Sequence, residues 1–274
     1  MRTWLFVPGH DTHKIEKALA SEADVVILDW EDAVPYERKQ EARAATRAAL
    51  ADVRASPRCV VRVNNMHDPA FSDDLAALAQ LHTSAVILPK VSDPAEVVRF
   101  AGHVTQPIIP LIESALGVEL CFAIAKAHPQ VERLGFGPLD LMADIGSQWT
   151  PDNEAYLYAR IRVAFAGRAA GLQGAIDGVY PRLDDIDGLR LDAAGARRLG
   201  YAGKMLLHPS QIDPVREVFS PTEEELEQAR QIIQAFRDAQ ARGEAVVRLN
   251  GRFIDPPVVL WARFMLGMAD QQAL

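Results

Sequence analysis

The chain has 274 residues, with 29 Lys and Arg against 37 Asp and Glu and a formal net charge of −8. That length suits one large α/β domain or two small ones and is ample for a core, and a hydrophobic share of 49% excludes a disordered chain. The acidic balance argues against a nucleic-acid partner, although a few local Arg or Lys residues suffice for a small anion, and Cys59 and Cys121 are too few for a disulfide framework and fit a reducing, cytoplasmic setting.

In chain order, the first stretch, Met1 to Gly9, is too short in apolar residues for a signal peptide. Eight apolar, β-branched runs follow one another: Thr3–Pro8, Val25–Asp29, Cys59–Asn64, Ala85–Lys90, Pro107–Glu113, Arg133–Gly137, Ala175–Tyr180 and Lys204–His208. Most are continuous rather than alternating, as expected of parallel strands buried on both faces. Helical patterns lie between them. Arg38 to Arg54 places Ala42, Ala45, Ala49 and Val53 at spacings of three and four. Asp93-Pro94-Ala95-Glu96 is a helix start, with Asp93 as N-cap and Glu96 reaching back. Asp152 to Ala170 and Ala193 to Leu199 read as further helices. Strand and helix repeated eight times predict a (β/α)₈ TIM barrel over residues 1–219. An open doubly wound sheet is the alternative, but the first turn, Val7-Pro8-Gly9-His10, lacks its glycine fingerprint.

The rhythm breaks after Ser210, and residues 220–274 form an extension. Ser220-Pro221-Thr222-Glu223 predicts a capped helix running to about Ala241, with Leu226, Ala229, Ile233 and Phe236 on one face. Asn250-Gly251 between Val246–Leu249 and Arg252–Ile254 is a hairpin signal. The final apolar stretch, Val258–Ala269, is about half a membrane span and contains Arg263, so a docking helix and no membrane partner are expected.

Chemistry in a barrel of this kind sits at the C-terminal strand ends. Those ends carry Glu31-Asp32, Arg62 and Asn64, Lys90, Glu113, Asp140, Asp177 and His208. Glu113 closes a run with no other polar side chain, and Asp140 follows Gly135-Phe136-Gly137-Pro138. Neighbouring strands lie about 5 Å apart, so these two carboxylates can reach one cation, and a pair with waters and a chelating substrate suits Mg²⁺. The alternative is that Glu113 caps the next helix and Asp140 is a loop residue. There is no Cys/His cluster of zinc spacing; His10 and His13 are an isolated pair. Arg62 either pairs with Glu31 or Asp32 or binds an anionic substrate group. Lys90 either forms a Schiff base, which needs a depressed pKa, or neutralises the acidic mouth. His208 reads as a general base or a hydrogen-bonded structural residue. Cys59 and Cys121 have no base beside them. Asp255, before Pro256-Pro257, reads by itself as a turn residue.

Seven stretches in register resemble the citrate lyase beta-subunit family, which includes citryl-CoA, malyl-CoA and citramalyl-CoA lyases within a superfamily of metal-dependent aldolases. They are Leu5-Phe6-Val7-Pro8-Gly9, Leu28-Asp29-Trp30-Glu31-Asp32-Ala33-Val34, Arg62-Val63-Asn64, Leu88-Pro89-Lys90, Ile112-Glu113-Ser114-Ala115, Gly137-Pro138-Leu139-Asp140-Leu141 with Asp144, and His208-Pro209-Ser210-Gln211-Ile212. The resemblance implies a TIM barrel, Mg²⁺ held by Glu113 and Asp140, and Arg62 as substrate-binding arginine, with Glu31 and Asp32 beside it. It also implies an acid/base role for Asp255, in Gly251-Arg252-Phe253-Ile254-Asp255-Pro256-Pro257, delivered by a neighbouring subunit of a homotrimer or hexamer. The implied reaction is carbon–carbon cleavage of a small 3-hydroxyacyl-CoA to a thioester and an oxo acid. A subunit acting on a carrier-bound thioester and a Schiff-base aldolase using Lys90 are the alternatives. Two positions depart from the family pattern, Trp30 for Leu and His10 for Ser or Asn, and Trp30 is expected to narrow the mouth or to pack a neighbouring subunit.

Overall fold

Eight parallel strands close into a barrel in sequence order, β1 pairing with both β2 and β8, in a computed structural model that describes residues 1–51, 58–152 and 154–270. The strands are Thr3–Pro8 (β1), Val25–Asp29 (β2), Cys59–Arg62 (β3), Ala85–Leu88 (β4), Ile108–Ile112 (β5), Gly135–Phe136 (β6), Ile176–Asp177 (β7) and Gly203–Leu206 (β8). The helices around them are Thr12–Ala20 (α1), Lys39–Ala49 (α2), Phe71–Leu78 (α3), Pro94–Ala101 (α4), Ala115–Lys126 (α5), Pro138–Asp144 (α6), Leu157–Ala169 (α7), Ile186–Leu199 (α8) and Ile212–Phe219 (α9). This is a TIM barrel, and closure of the ring rules out the open sheet.

Alternation along each strand explains the continuous apolar runs. Val25, Ile27, Val60, Ala85, Ile87, Ile109, Leu111, Ile176 and Met205 fill the lumen with Trp4. Their neighbours, such as Val26, Leu28, Val61, Val86, Leu88 and Ile112, pack outward against the helices. Both faces are dry, and within β2 to β5 neither carries a charged residue until the strand ends.

The ladders are uneven around the ring. β1 and β2 share five register pairs, from Trp4↔Val25 to Pro8↔Asp29. β6 and β7 share only Gly135↔Ile176, and β7 and β8 share Ile176↔Gly203 and Asp177↔Lys204. Side chains reinforce the thin wall. Ile176 faces the lumen, so Asp177 and Lys204 point outward, where they meet Arg160 of α7 and Asp192 of α8. Arg160 Nε and Nη2 donate to the two Asp177 oxygens at 2.9 and 2.7 Å. Arg160 Nη1 stands 3.0 Å from Asp192 Oδ1. Lys204 Nζ donates to Asp177 Oδ2 at 2.5 Å and pairs with Asp192. All four side chains are buried.

Several element boundaries differ from the sequence expectation, for local reasons. α2 starts at Lys39, after a 3₁₀ turn at Tyr36–Arg38, and Val53 and Arg54 lie outside the described residues. The helix expected from Asp152 starts at Leu157, because Asp152 accepts from Thr150 Oγ1 and Glu154 N and holds a separate short turn. α8 starts seven residues before Ala193, at Ile186, because Asp185 caps it by accepting from Gly188 N. The Asp93/Glu96 capping box is formed as expected.

Ser220–Leu274 is a second compact unit. It contains Glu223–Ala241 (α10), Val247–Leu249 (β9), Arg252–Ile254 (β10) and Pro256–Asp270 (α11). Its own core is Ala229, Ile232, Phe236, Ile254, Val259, Ala262 and Met265. The α10 cap is Thr222 with Glu225, not Ser220 with Glu223. Two overlapping Ser/Thr-x-x-Glu registers exist here, and the second is used. β9 and β10 form the expected hairpin, and its turn residues Asn250 and Gly251 both have positive φ, 48° and 79°, as the tight two-residue turn requires. Among the described residues no helix is long and apolar enough to cross a membrane.

Candidate active site

The mouth of the barrel is built from the ends of β2 to β6. Asp29, the last residue of β2, is fully buried. Its carboxylate accepts the N–H groups of Glu31 and Ala33, both at 3.0 Å, and so folds the turn that carries Glu31 and Asp32. The same carboxylate takes a two-pronged hydrogen bond from Arg62 Nε and Nη2, each 2.7 Å. Burial alone would push the Asp29 carboxyl up, but the Arg62 charge and the backbone donors outweigh it and hold it below the ordinary range. Arg62 lies over the Phe6 ring at 4.7 Å. Its remaining Nη1 points into the mouth, 3.2 Å from Glu31 Oε2 and 3.6 Å from Asp32 Oδ2. Of the two alternatives for Arg62, the pairing is present, and it leaves one nitrogen facing the site.

Glu31 is buried and lies against two cations, Arg62 Nη1 at 3.2 Å and Lys90 Nζ at 2.8 Å. Its carboxyl is pushed up to about 7, chiefly by burial, with Asp32 adding to the rise against the pull of Arg62 and Lys90. Lys90 Nζ also lies 3.1 Å from Asp32 Oδ1 and 4.0 Å from Asp140 Oδ1. Burial draws the Lys90 ammonium down, but Glu31 and Asp32 more than reverse this and raise it above the ordinary lysine value. A Schiff-base lysine needs the opposite shift, so the structure favours the charge-neutralising alternative.

Glu113 follows β5 and is 3% exposed. It does not cap the next helix. Ser114 does so, accepting from Gly117 N at 3.1 Å, and Asp144 Oδ2 accepts from Ala115 N at 2.7 Å. One Glu113 oxygen accepts from Lys90 N at 2.6 Å. Burial, Asp140 and Glu31 together push its carboxyl well above the ordinary value. Gly137 explains how Glu113 fits. A Cβ there would lie 2.5 Å from Glu113 Oε2, so only glycine lets the β6 end approach this carboxylate. Asp140 sits not in a loop but in the first turn of α6, its side chain 41% exposed.

Among the described residues no group of three His, Cys, Asp or Glu side chains forms a ready cage for a metal ion. Glu113 and Asp140, at the ends of adjacent strands, offer a pair of carboxylate oxygen donors. Crowded carboxylates with too few cations, one of them buried, fit a hard divalent ion that keeps open positions, as Mg²⁺ does. They do not fit a closed nitrogen and sulfur site.

Other strand-end residues serve the scaffold. Asp177 belongs to the ionic cluster behind β7 and β8 and does not face the mouth. Asn64 is buried against Asp74, whose Oδ2 accepts its N and Nδ2 at 2.7 Å, and against Lys39. Lys39 is therefore buried too. His208 is exposed and caps its own turn, Nδ1 meeting Ser210 Oγ at 2.9 Å. Trp30 neither narrows the mouth nor faces outward: it is fully buried, and its Nε1 donates to Thr46 Oγ1 at 2.8 Å. Cys59 and Cys121 are buried and not joined in a disulfide, and burial pushes the Cys59 thiol up to about 11. In the second unit, Asp255 caps α11, accepting from Val258 N at 3.2 Å.

The chain as a whole matches known proteins. Residues 2–209 match the HpcH/HpaI aldolase/citrate lyase family. The chain belongs to this family. Among HpcH/HpaI relatives, a (3S)-malyl-CoA thioesterase of Cereibacter sphaeroides is 35% identical over 98% of this chain and 94% of its own length. The citrate lyase subunit beta of Leuconostoc mesenteroides subsp. cremoris is 33% identical over 100% of this chain and 94% of its own. The crystal structure of CitE from Mycobacterium tuberculosis with magnesium, acetoacetate and coenzyme A superposes with a TM-score of 0.87 at 33% identity, over 98% of each chain. The lone acidic residue after an apolar strand, the signal that marks Glu113, also stands at Asp29, the end of Val25–Asp29. Gly137 stands in one of the stretches that carry the family resemblance, but nothing in that stretch announces the carboxylate packed against it.

Proposed function

We propose that this HpcH/HpaI member is a Mg²⁺-dependent carbon–carbon lyase of a small 3-hydroxyacyl-CoA with a distal carboxylate, of the citryl-CoA, malyl-CoA or citramalyl-CoA type. The observation that carries this reading is the convergence of Glu113, Asp140 and Arg62 Nη1 on one mouth. Glu113 and Asp140 would hold the ion, which when bound supplies Lewis acidity to the carbonyl formed on cleavage. Arg62, locked by Asp29, presents Nη1 to the acid end of the substrate and offsets developing negative charge. Glu31 and Asp32 bind substrate through this cation and orient it. Cleavage releases the hydroxyl proton to solvent as the C–O becomes a carbonyl and breaks the bond between the hydroxyl-bearing carbon and the thioester α-carbon, leaving the electron pair on the thioester enolate. Asp255 of a neighbouring copy would protonate that carbon, or remove its proton in the condensing direction. Assembly as a homotrimer or hexamer is part of this reading. The second unit exposes Phe253, Leu260, Trp261 and Phe264, an apolar surface that a neighbouring copy would cover.

The test is a cleavage assay on malyl-CoA, citramalyl-CoA and citryl-CoA with Mg²⁺ and with EDTA, following both oxo acid and free thiol. Turnover abolished by EDTA and strongly reduced in Asp255→Ala is expected; turnover that survives EDTA would overturn the metal site. The name of the Cereibacter sphaeroides relative favours one second reading, thioester hydrolysis, and thiol released without oxo acid would select it. No turnover on free esters but activity on a carrier-bound thioester would select the subunit reading. Gly137→Ala is expected to keep the fold and to lower kcat/KM by about 100-fold, because a small displacement of Glu113 misplaces the reacting groups. Thermal melting beside the same assay checks it.

A further inference from the structure

Lys90 is held in a way the barrel does not require. Among the described residues other than glycine, only Lys90 and Asn250 have positive φ, and Asn250 is the turn type that tolerates it. Lysine at φ 55° is strained, and such strain persists where surrounding contacts over-determine it. Those contacts are all with acidic residues of the mouth. The backbone N–H holds Glu113 Oε1 at 2.6 Å, and Nζ stands 2.8 Å from Glu31 Oε1, 3.1 Å from Asp32 Oδ1 and 4.0 Å from Asp140 Oδ1. Ala85 and Ile87 face the lumen, so continued alternation along β4 would turn residue 90 away from the mouth. The left-handed backbone reverses this.

We infer that Lys90 is a positioning residue that serves as the built-in counter-cation of the mouth: its ammonium sits among the carboxylates of the free protein and keeps divalent-ion binding weak until an anionic oxo acid enters, while its N–H keeps Glu113 in place. The inference rests on the reading that Glu113 and Asp140 hold the ion. Arg62 is locked on Asp29 and shares Glu31 and Asp32 with the Lys90 ammonium, which also faces Asp140, while Glu113 is held by the Lys90 N–H. A divalent ion on Asp140 would stand within a few ångströms of that like charge, where repulsion is strong. An incoming carboxylate gives the ammonium a new partner, so ion and oxo acid favour each other, reciprocally.

The experiment is calorimetric titration of Mn²⁺ into the full chain, with and without pyruvate, for the wild type, Lys90→Met, Lys90→Gln and Lys90→Arg. Lys90→Met and Lys90→Gln are expected to bind Mn²⁺ at least about tenfold more tightly without pyruvate, and to gain less from it. Lys90→Arg, which keeps the charge, is expected to stay within about threefold of the wild type. Two neutral variants give a second chance if one fails to fold, as melting will show. Unchanged or weaker Mn²⁺ binding in the neutral variants, or an equal change in Lys90→Arg, would overturn the inference, since lost positioning alone cannot tighten the site. Mn²⁺ binding that survives Glu113→Gln and Asp140→Asn, or that is absent from every variant, would instead overturn the metal reading beneath it.

Discussion

Glu113→Gln is expected to remove cleavage by about 10³-fold or more, while the melting temperature at neutral pH stays the same or rises. The first half follows from the loss of one of two ion ligands, which forfeits several kcal/mol of transition-state stabilisation. The second half follows from the cost of Glu113 in the free protein. Its carboxylate is 3% exposed, and burial, Asp140 and Glu31 all disfavour its charge. Gln keeps the shape and can still accept from Lys90 N, but carries no charge to bury. Activity and stability therefore part company at this position, as expected where a site is arranged for its ligand and not for its own comfort. Steady-state turnover and thermal melting of the same preparation check both halves, and a large drop in melting temperature would contradict the account.

Asp177→Ala is expected to do the reverse, unfolding the barrel without touching the mouth. Removing one member of a buried ionic cluster strands its partners, Arg160 and Lys204, at a cost of about 3–5 kcal/mol. For a chain of this size that is a fall in melting temperature on the order of 10 °C. The paired change Asp177→Leu with Lys204→Met removes one charge of each sign, keeps the Arg160–Asp192 pair and is expected to recover much of the loss. The pH dependence has a definite sign. Burial raises the Asp177 carboxyl, but Arg160 and Lys204 outweigh this and hold it below the ordinary value. Its contribution is thus fully present above the ordinary carboxylate range near about 4 and is lost as pH falls through the lower native value. Urea titrations from neutral to acidic pH should show that acid limb in the wild type and a shallower one in Asp177→Ala.

The mouth was largely legible in the sequence because its polar residues interrupt apolar runs. Glu113, Arg62 and the Glu31-Asp32 pair stand out for that reason, and the ring order of the strands then brings their ends together. What the pattern did not carry depends on partners that come from elsewhere in the chain or on backbone twist. Asp29 reads as the last residue of a strand until Arg62 is opposite it, since the two are a register pair across β2 and β3. Lys90 reads as a strand end, and nothing in Leu88-Pro89-Lys90 announces a left-handed residue. Asp177 reads as a mouth residue, but in a two-residue strand the alternation is too short to show which way it faces. Trp30 follows the same logic in reverse. It stands beside Glu31 in sequence, yet Thr46 offers its indole N–H a buried partner on the helix side, and an aromatic of that size gains most from full burial.

The thin ladder between β6, β7 and β8 also bears on how such a chain can change over generations. Where β1 to β5 are joined by ladders and aliphatic side chains, one branched residue can replace another at small cost. On the opposite side, two short strands lean on four charged groups that have meaning only as a set. Drift there cannot proceed one substitution at a time, because each intermediate leaves a charge unpaired. The circumference is therefore divided into an arc whose residues, the Asp29–Arg62 pair aside, are free to diverge and an arc bound to change in concert. A saturation library scored for folded protein should show that boundary as a step in tolerance between β5 and β6.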